Sequence, residues 1–216
     1  MDTHRIDGDA AVESGTTTVA LTATEGVVLA ADRRASLGGR FVSNKSAIKI
    51  ERVHPTAAMT LSGSVGAGQA LLRQLRAQAD LYESRRGRPM SVPALARAAG
   101  DVVRGRRAQP LLGGVDPADR ADGDAPAPHV YTVGGAGGVL EDDYVASGSG
   151  TALATGALER SYRDDLDVEA AIEVAAEAID SAVERDTASG NGLTVSRIDA
   201  EGVSIDSYDA VSEVIP

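Results

Sequence analysis

Residues 16–31 read TTTVALTATEGVVLAA, and this stretch predicts how the ordered part of the chain begins. Thr16–Thr24 is rich in β-branched residues and alternates in polarity, which favours a strand. Glu25 and Gly26 predict a tight turn, and Val27–Ala31 predicts a second strand that pairs with the first. The fold is therefore expected to open with a β-hairpin.

Beyond this hairpin, the hydrophobic pattern changes between the period of strands and the period of helices. Further strands are predicted over Ala47–Val53, Ala57–Ser62, Gln109–Val115, His129–Val133, Leu193–Ile198 and Val203–Tyr208. Helices are predicted over Ala67–Arg86, from Ser91 through Val103, over Gly150–Ser161 and over Val168–Thr187. Strand runs followed by pairs of helices indicate a layered α+β fold rather than alternating βαβ units.

Three segments between these elements are predicted to be connections. Leu37–Gly39 is expected to be a glycine-containing loop. Asp116–Pro128 holds three prolines and four aspartates, so an exposed loop is expected there. Gly134–Gly138 is a candidate phosphate-binding loop, but its spacing is not G-x-G-x-x-G and no helix follows it. A hairpin turn is therefore the better prediction for this segment.

The composition predicts one domain and excludes several classes of site. Of the 216 residues, 43% are hydrophobic, which suffices for one sizeable core. Cysteine is absent, and His4, His54 and His129 lack metal-ligand spacing, so each histidine is expected in a surface or loop position. Met1–Gly15 has no basic start or apolar run, so it predicts a disordered leader rather than a secretory signal. No segment approaches the length of a membrane-spanning helix, and a cytoplasmic location is expected.

The charge pattern is strongly acidic. The formal net charge is −11, which argues against a nucleic-acid-binding face. Lys45 and Lys49 are the only lysines among 21 basic residues, so the chain uses arginine almost everywhere else. An acidic excess with few lysines resembles proteins of salt-adapted organisms, in which high salt screens the self-repulsion.

Six short motifs, in fixed order along the chain, carry the chemical information. They are Gly15-Thr16-Thr17-Thr18, Ala31-Asp32-Arg33-Arg34, Lys49, Ser62-Gly63-Ser64, Gly148-Ser149-Gly150 and Glu184–Gly190. Each motif alone is weak, because threonine is common in strands and serine is common at helix ends. Together they resemble, from Thr16 to about Tyr208, the β-subunits of archaeal-type 20S proteasomes. That family implies a four-layer αββα sandwich, the N-terminal nucleophile hydrolase fold, and a threonine endopeptidase that degrades unfolded proteins.

The resemblance also implies roles for individual residues. Self-cleavage between Gly15 and Thr16 would remove residues 1–15 as a propeptide and leave 16–216 as the peptidase domain. The freed α-amine of Thr16 would then act as the base for its own hydroxyl. Lys49 would supply a positive charge beside the nucleophile, and Asp32 would hold this lysine in place. The Gly63 backbone N–H would stabilise the oxyanion of the tetrahedral intermediate.

Further residues and partners follow from the same resemblance. Ser149, Asp186 and Ser189 would form a supporting network around the amine and hydroxyl of the nucleophile. The substrate pocket would be lined by Ala35, Ala47, Glu51, Leu61 and Val65, which suggests cleavage after hydrophobic residues. No cofactor or metal ion is expected. The expected partners are proteasome α-subunits, further β-subunits in heptameric rings of the arrangement α7β7β7α7, an AAA+ unfoldase ATPase on the α-rings, and polypeptide substrates.

Two other functions remain open at this point. The related two-ring bacterial protease also begins with two threonines, but it generally lacks the R-D-x-A-S-G segment and the strands after it. A non-enzymatic β-like subunit that only fills a ring position would typically lose the threonine, the lysine or the glycine before the cleavage site. This chain keeps all three, as Thr16, Lys49 and Gly15.

Overall fold

The computed structural model describes residues 13–37, 39–121 and 125–215, apart from the side chains of Glu13, Ser14 and Val65. His4 and the first twelve residues of the predicted leader therefore lie outside the described residues. In chain order the described strands are β1 (Glu13–Gly15), β2 (Thr17–Ala23), β3 (Gly26–Asp32), β4 (Ala35–Leu37), β5 (Phe41–Asn44), β6 (Ile50–His54), β7 (Ala57–Thr60), β8 (Gly63–Ser64), β9 (Leu111–Asp116), β10 (Ala127–Val133), β11 (Val139–Glu141), β12 (Tyr144–Gly148), β13 (Leu193–Ile198) and β14 (Val203–Tyr208). The helices are α1 (Val65–Arg86), α2 (Val92–Val103), α3 (Thr151–Ser161) and α4 (Val168–Val183), and a 3-10 turn spans Val211–Glu213.

Two five-stranded antiparallel sheets form the centre of the molecule. One sheet has the order β12-β2-β3-β13-β14, and the other has the order β11-β10-β9-β7-β6. Apolar side chains between the two sheets are fully or almost fully buried, among them Val27, Leu29 and Leu111. Burial of aliphatic side chains on facing sheets is the main favourable contribution to such a core.

Helices cover the outer face of each sheet. Helices α3 and α4 pack on the sheet that contains β2, through residues such as Leu158, Ala175 and Ile179. Helices α1 and α2 pack on the other sheet, through residues such as Leu72 and Leu95. The layers therefore run helix, sheet, sheet, helix, and the predicted four-layer αββα architecture is confirmed.

Most predicted helix boundaries agree with the structure because local signals set them. Helix α1 ends at Gly87, whose N–H bonds to the carbonyl of Glu83. Helix α2 begins after Ser91 with Pro93 in its first turn. The Asp116 carboxylate, rather than the Ser91 hydroxyl, accepts the N–H of Val92 at 3.1 Å. A side-chain acceptor at this position satisfies a helix donor that would otherwise have no partner.

Several sequence-based predictions need correction. Asp116–Pro128 is not wholly an exposed loop, since Asp116 is a buried residue at the end of β9 and β10 already begins at Ala127. The last helix ends at Val183 rather than at Thr187, and the Arg185 N–H bonds to the carbonyl of Ala182, three residues earlier, as in a tighter 3-10 turn. This turn releases the Asp186 side chain from the helix.

The third correction concerns His54, which was expected in a surface or loop position. It lies on β6, is only 4% exposed, and accepts the Thr56 N–H through Nδ1 at 3.4 Å. Burial is the main cause that lowers the pKa of His54 to about 4, and nearby Arg120 and Arg52 lower it further. The histidine is therefore held in its neutral form at neutral pH.

A third, smaller sheet has the order β5-β4-β1-β8 and was not predicted. Strand β1 lies in its middle, so order begins before Thr16 and the leader is not disordered over residues 13–15. Ser14 pairs with both Leu37 of β4 and Gly63 of β8, and Gly15 pairs with Ser36. The end of the leader thus lies as an antiparallel strand between two others, directly before β2 begins.

Candidate active site

Thr16 lies at the junction between β1 and β2 and is only 1% exposed. Its carbonyl accepts the Ser149 N–H at 2.8 Å, and its own N–H points to Ser149 Oγ at 3.3 Å. Its Oγ1 is buried and has no hydrogen-bond partner among the described residues. The backbone of Thr16 is therefore fixed by one residue of the facing turn, while its hydroxyl remains uncommitted.

Asp32 and Lys49 form a buried ion pair beside the start of β2. Lys49 Nζ donates to Asp32 Oδ1 at 2.6 Å, and the same oxygen accepts the Thr17 N–H at 2.9 Å. The other oxygen, Oδ2, accepts the N–H groups of Arg34 at 3.0 Å and Gly190 at 2.9 Å. Neither side chain of the pair is more than 4% exposed. Because one carboxylate oxygen contacts both Lys49 and Thr17, the lysine lies next to the residue that follows Thr16.

The environment of Lys49 opposes its positive charge. Burial lowers the pKa of Lys49 below its ordinary value, and the charge and hydrogen bond of Asp32 offset part of that decrease. Asp186 raises the pKa further and Arg34 lowers it. Burial and the partner Asp32 therefore act in opposite directions on the pKa of Lys49, and the ion pair with Asp32 favours the charged form. Lys45, by contrast, is exposed.

Hydrogen bonds join Ser149, Asp186 and Ser189, the three residues that the resemblance placed around Thr16. Asp186 Oδ2 accepts the hydroxyl of Ser149 at 2.5 Å and the hydroxyl of Ser189 at 2.7 Å. Ser189 is fully buried and also bonds to Thr17 Oγ1 at 2.8 Å. The network starts at the nitrogen of Thr16, passes through a carboxylate, and ends at Thr17.

Two glycines have left-handed backbones that the site requires. Gly63 has φ +94°, and a Cβ there would lie 2.5 Å from the Arg107 carbonyl oxygen. Gly148 has φ +107°, and a Cβ there would lie 1.8 Å from the Thr16 carbonyl oxygen. A side chain at either position would be strained and would displace backbone next to the site. Glycine at these two positions lets strand β8 approach the Arg107–Ala108 backbone and lets the Gly148–Ser149 turn approach Thr16.

Gly15 fits into a space with no room for a side chain. A Cβ at this residue would lie 2.0 Å from Ala188 Cβ and 2.8 Å from Ser36 Oγ. Gly15 and Ala188 also line an open cleft of about 860 Å³, together with Gly63, Ser149 and Asp186. The peptide bond between Gly15 and Thr16 therefore lies at the wall of a cleft that contains a hydroxyl network and a backbone turn.

Comparison with known proteins agrees with this arrangement. Residues 12–198 match the family described as "Proteasome subunit". The chain belongs to the proteasome subunit family. It is 53% identical to a proteasome subunit beta of Halomicrobium mukohataei over 97% of this chain and 86% of that protein. It is 52% identical to a proteasome subunit beta of Halorhabdus utahensis, over 97% of this chain and 87% of that protein. It is also 52% identical to a proteasome subunit beta 2 of Haloterrigena turkmenica, over 96% and 86%.

The family agrees with several expectations at once. The αββα sandwich is that of the N-terminal nucleophile hydrolases, and β-type proteasome subunits are the proteolytic subunits of the 20S core. The relatives come from halophilic archaea, which supports a salt-adapted source for the acidic composition. As a proteasome subunit, the chain assembles with other proteasome subunits. No helix among the described residues is long and apolar enough to cross a membrane.

The residues predicted for the substrate pocket lie on several different elements of the structure. Ala35 is buried on β4 next to the leader strand, and Ala47 donates its N–H to the Arg33 carbonyl. Glu51 pairs with Arg76 of α1 at 2.8 Å. The Leu61 N–H bonds to the Lys49 carbonyl. None of these four lines the 860 Å³ cleft, and the side chain of Val65 lies outside the described residues. Their role in a pocket stays a prediction.

Two residues that contact the candidate site, Gly148 and Thr17, were not predicted from the sequence. Gly148 was quoted only as part of a motif, and its position against the Thr16 carbonyl depends on the pairing of β12 with β2. Thr17 was not singled out, because a threonine in an alternating strand is an ordinary strand residue. The only available signal was the run of three threonines after Gly15.

Proposed function

We propose that this subunit is made as a precursor that cuts itself between Gly15 and Thr16 and then acts as an N-terminal threonine endopeptidase. The observation that carries the proposal is the environment of Thr16. Its nitrogen and carbonyl are held by Ser149, its hydroxyl has no partner in the described structure, and a buried lysine lies beside the next residue. A hydroxyl that is positioned but uncommitted is what nucleophilic attack requires.

In the self-cleavage step, Thr16 Oγ attacks the carbonyl carbon of Gly15. The C–N bond then breaks, the nitrogen takes up a proton, and Gly15 is left as an ester on the threonine. Water hydrolyses this ester, which yields a carboxylate on Gly15 and a free hydroxyl and α-amine on Thr16. A glycine before Thr16 suits this step, because a Cβ at position 15 would collide with Ala188 and Ser36 beside the bond that is cut.

Peptide hydrolysis by the mature chain follows the same chemistry. The α-amine takes the proton of the Thr16 hydroxyl, directly or through water, while Oγ attacks the substrate carbonyl. Lys49, held by Asp32, lowers the cost of forming the alkoxide and disfavours protonation of the nearby amine. The Gly63 backbone N–H stabilises the oxyanion, and Ser149, Asp186 and Ser189 orient the amine. The reaction needs no metal ion or other cofactor from the protein.

Strand β1 suggests how a substrate binds. The leader pairs with β4 on one side and β8 on the other, and its carboxyl end reaches Thr16. An unfolded polypeptide in extended conformation would add to the same two edges once the leader has left. Cleavage after hydrophobic residues, through the pocket predicted around Ala35, Ala47 and Leu61, remains part of this proposal.

The proposed setting is a closed chamber in the cytoplasm. Seven copies would form a ring, two such rings would stack between rings of α-subunits as α7β7β7α7, and an AAA+ unfoldase ATPase would dock on the α-rings. Enclosure confines the peptidase to unfolded chains that are threaded into the chamber. The leader would keep the enzyme inactive as a zymogen until the subunits assemble.

Mass spectrometry and peptidase assays test the proposal. Co-assembly with α-subunits should shorten the chain from 216 residues to 201, beginning at Thr16. Peptidase activity should vanish in Thr16→Ala and fall by orders of magnitude in Lys49→Ala. Lys49→Arg should also be poor, because a planar guanidinium does not fit the buried place of an ammonium 2.6 Å from Asp32.

The outcome also decides between an enzyme and a scaffold. A persistent full-length chain in assembled particles, without peptidase activity, would favour a non-catalytic subunit. Activity in particles whose mature chain begins at another residue would contradict the role of Thr16. Near-native turnover of Lys49→Arg would show that a positive charge of any shape is sufficient.

A further inference from the structure

Thr17, the first residue of β2, contacts both halves of the site. Its N–H donates to Asp32 Oδ1, the oxygen that also accepts Lys49 Nζ. Its hydroxyl bonds to Ser189 Oγ at 2.8 Å and accepts the Gly150 N–H at 3.1 Å. The residue is fully buried. Among the described hydrogen bonds, it alone connects the ion pair to the network of Ser149, Asp186 and Ser189.

Counting protons fixes the direction of every bond in this network. A carboxylate only accepts, so the hydroxyls of Ser149 and Ser189 must both donate to Asp186 Oδ2. Ser189 has then used its single proton, and it must accept the proton of the Thr17 hydroxyl. Thr17 Oγ1 in turn accepts the Gly150 N–H. At the other end, Ser149 gives its single proton to Asp186 at 2.5 Å rather than to the Thr16 carbonyl at 3.3 Å, so Ser149 Oγ accepts the N–H of Thr16.

The surroundings of the Thr17 hydroxyl leave it no alternative position. A Cβ at Gly150 would lie only 2.2 Å from Thr17 Oγ1, so the start of helix α3 closes directly over this oxygen. A hydroxyl with both its donor and its acceptor role filled by buried partners is rigid. The next residue, Thr18, is equally buried, but its Oγ1 has no partner among the described residues.

We propose that Thr17 is a positioning residue for the nucleophile. Its hydroxyl holds Ser189, and through Ser189 it holds Asp186 and Ser149 in the arrangement where Ser149 Oγ faces the nitrogen of Thr16. The backbone N–H of Thr17 bonds to Asp32, which fixes the nitrogen of Thr16 relative to the Asp32–Lys49 pair. This inference rests on the proposed function, because it assigns Thr17 to the activation of the Thr16 amine.

The test compares three variants of the full chain, co-assembled with α-subunits. Thr17→Val keeps the shape and removes the hydroxyl, and Thr17→Ser keeps the hydroxyl. Thr18→Val is the matched control, since it makes the same change at the next buried position of the same strand. Turnover is measured per mature chain, with the extent of cleavage before Thr16 determined by mass spectrometry.

Thr17→Val should lower kcat by about 10- to 100-fold with KM close to that of the parent, because a small misplacement of reacting groups has this cost. Ser149 Oγ donates its proton to the Asp186 carboxylate, so it can accept a hydrogen bond from the protonated α-amine and stabilise it. Loss of the hydrogen bond that holds this arrangement should therefore lower the pKa of the amine. The acidic limb of the kcat–pH profile should therefore move to lower pH. Thr17→Ser should retain most of the turnover, and Thr18→Val should match the parent.

A double variant tests the connection itself. Ser189→Ala breaks the same hydrogen bond from the other side, so Thr17→Val should add little further loss in the Ser189→Ala background. If Thr17→Val does not assemble, Ser189→Ala alone must show the kcat loss and the shifted pH profile. The inference is overturned if the kcat losses of Thr17→Val and Ser189→Ala multiply in the double variant. It is also overturned if Thr18→Val loses as much kcat as Thr17→Val, or if Thr17→Val keeps the kcat and the pH profile of the parent. A parent chain that neither cuts itself nor hydrolyses peptides would instead refute the proposed function.

Discussion

Replacing Asp32 with asparagine should destabilise the chain severely, because four donors converge on this carboxylate. Oδ1 accepts Lys49 Nζ and the Thr17 N–H, and Oδ2 accepts the N–H groups of Arg34 and Gly190. Asparagine has one acceptor oxygen and one donor nitrogen. In one orientation its NH₂ faces two backbone donors, and in the other it faces a backbone donor and an ammonium. Either orientation leaves two buried donors without an acceptor.

The expected magnitude follows from two independent estimates. Each unsatisfied buried donor costs about 1–3 kcal/mol, which gives about 2–6 kcal/mol for the two donors. Removing one partner of a buried ion pair costs about 3–5 kcal/mol. Because the two estimates describe the same lost contacts, they overlap rather than add, and we expect about 4 kcal/mol. For a chain of this length, this corresponds to a decrease in Tm of about 8–16 °C.

The assay is thermal unfolding in molar salt, followed by circular dichroism. Both proteins should carry Thr16→Ala, so that neither is processed and the two chains have the same length. The control is Asp165→Asn, which removes the same charge at an exposed position. An Asp32→Asn protein whose Tm lies within about 2 °C of its parent would refute the reasoning, as would an equal decrease in the control.

The pH dependence provides a second arm of this experiment. The pKa of Lys49 lies below its ordinary value, so the unfolded chain binds the proton more tightly and stability rises with pH across that interval. Loss of Asp32 lowers the pKa of Lys49 further. The difference in stability between variant and parent should therefore narrow as the pH rises, and the part that remains reports the unsatisfied backbone donors. A difference that stays constant with pH would show that the ion pair contributes nothing.

Three further predictions follow from other parts of the structure. Gly15→Ala should slow self-cleavage, measured by gel or mass spectrometry, and adding Ala188→Gly should restore part of the rate because it removes the nearest clash. Equal cleavage rates in the single and the double variant would contradict the steric argument. The pKa of His54 is lowered to about 4, so the chain should lose stability as the pH falls from 6.5 towards 4, and the His54→Gln protein should lose less stability over the same range. An equal loss of stability with pH in the two proteins, followed by thermal unfolding, would show that His54 is not its cause. Removing the leader changes the formal charge of the chain from −11 to −8, so the assembled particles are still strongly acidic. They should dissociate in dilute buffer and persist in molar salt, where the Debye length is about 3 Å and the repulsion is screened. Intact particles in low salt, measured by sedimentation, would show that the subunit interfaces hold without screening.

Elements fixed by local sequence were predicted closely. The bounds of β13 and β14 agree with the prediction, because each strand alternates in polarity and a short turn separates them. The start of α2 and the end of α1 were found from a serine and a glycine at the helix ends. The hydrophobic periods also placed the four helices in two pairs, and this alone led to a layered α+β fold.

Elements that depend on distant partners were not predicted. Strand β1 is three residues long and exists because β4 and β8 flank it, so no periodicity in Glu13–Gly15 announces it. The burial of Asp116 is likewise a consequence of the α2 N-terminus, which lies 24 residues earlier in the chain. Helix α4 ends earlier than predicted, and Asp186, beyond its end, accepts a hydrogen bond from the Ser149 hydroxyl. In each case a contact between residues far apart in sequence overrides the local preference.

The candidate site was predicted from a family resemblance and not from the hydrophobic pattern. Thr16, Asp32 and Lys49 lie on three different strands or strand ends, and their types are common in any β-rich chain. Composition contributed one independent signal, because a chain that uses arginine almost everywhere has a lysine at position 49, where the structure buries it against Asp32. Thr17 gave no such signal, since its role depends on the direction of hydrogen bonds that only the folded chain defines.

The uncut chain already contains the arrangement that the mature enzyme would use. Lys49 is paired, Ser149 faces the nitrogen of Thr16, and the hydroxyls of Ser149 and Ser189 are joined through Asp186, all while Gly15 is still attached. Activation then needs no rearrangement of the fold. It consists of converting an amide nitrogen, which is not basic, into an amine at the same place, and of vacating the groove between β4 and β8. Under the proposed function the leader would inhibit in two ways, by withholding the base and by occupying the site of the substrate, and both effects would end with the cleavage of one bond.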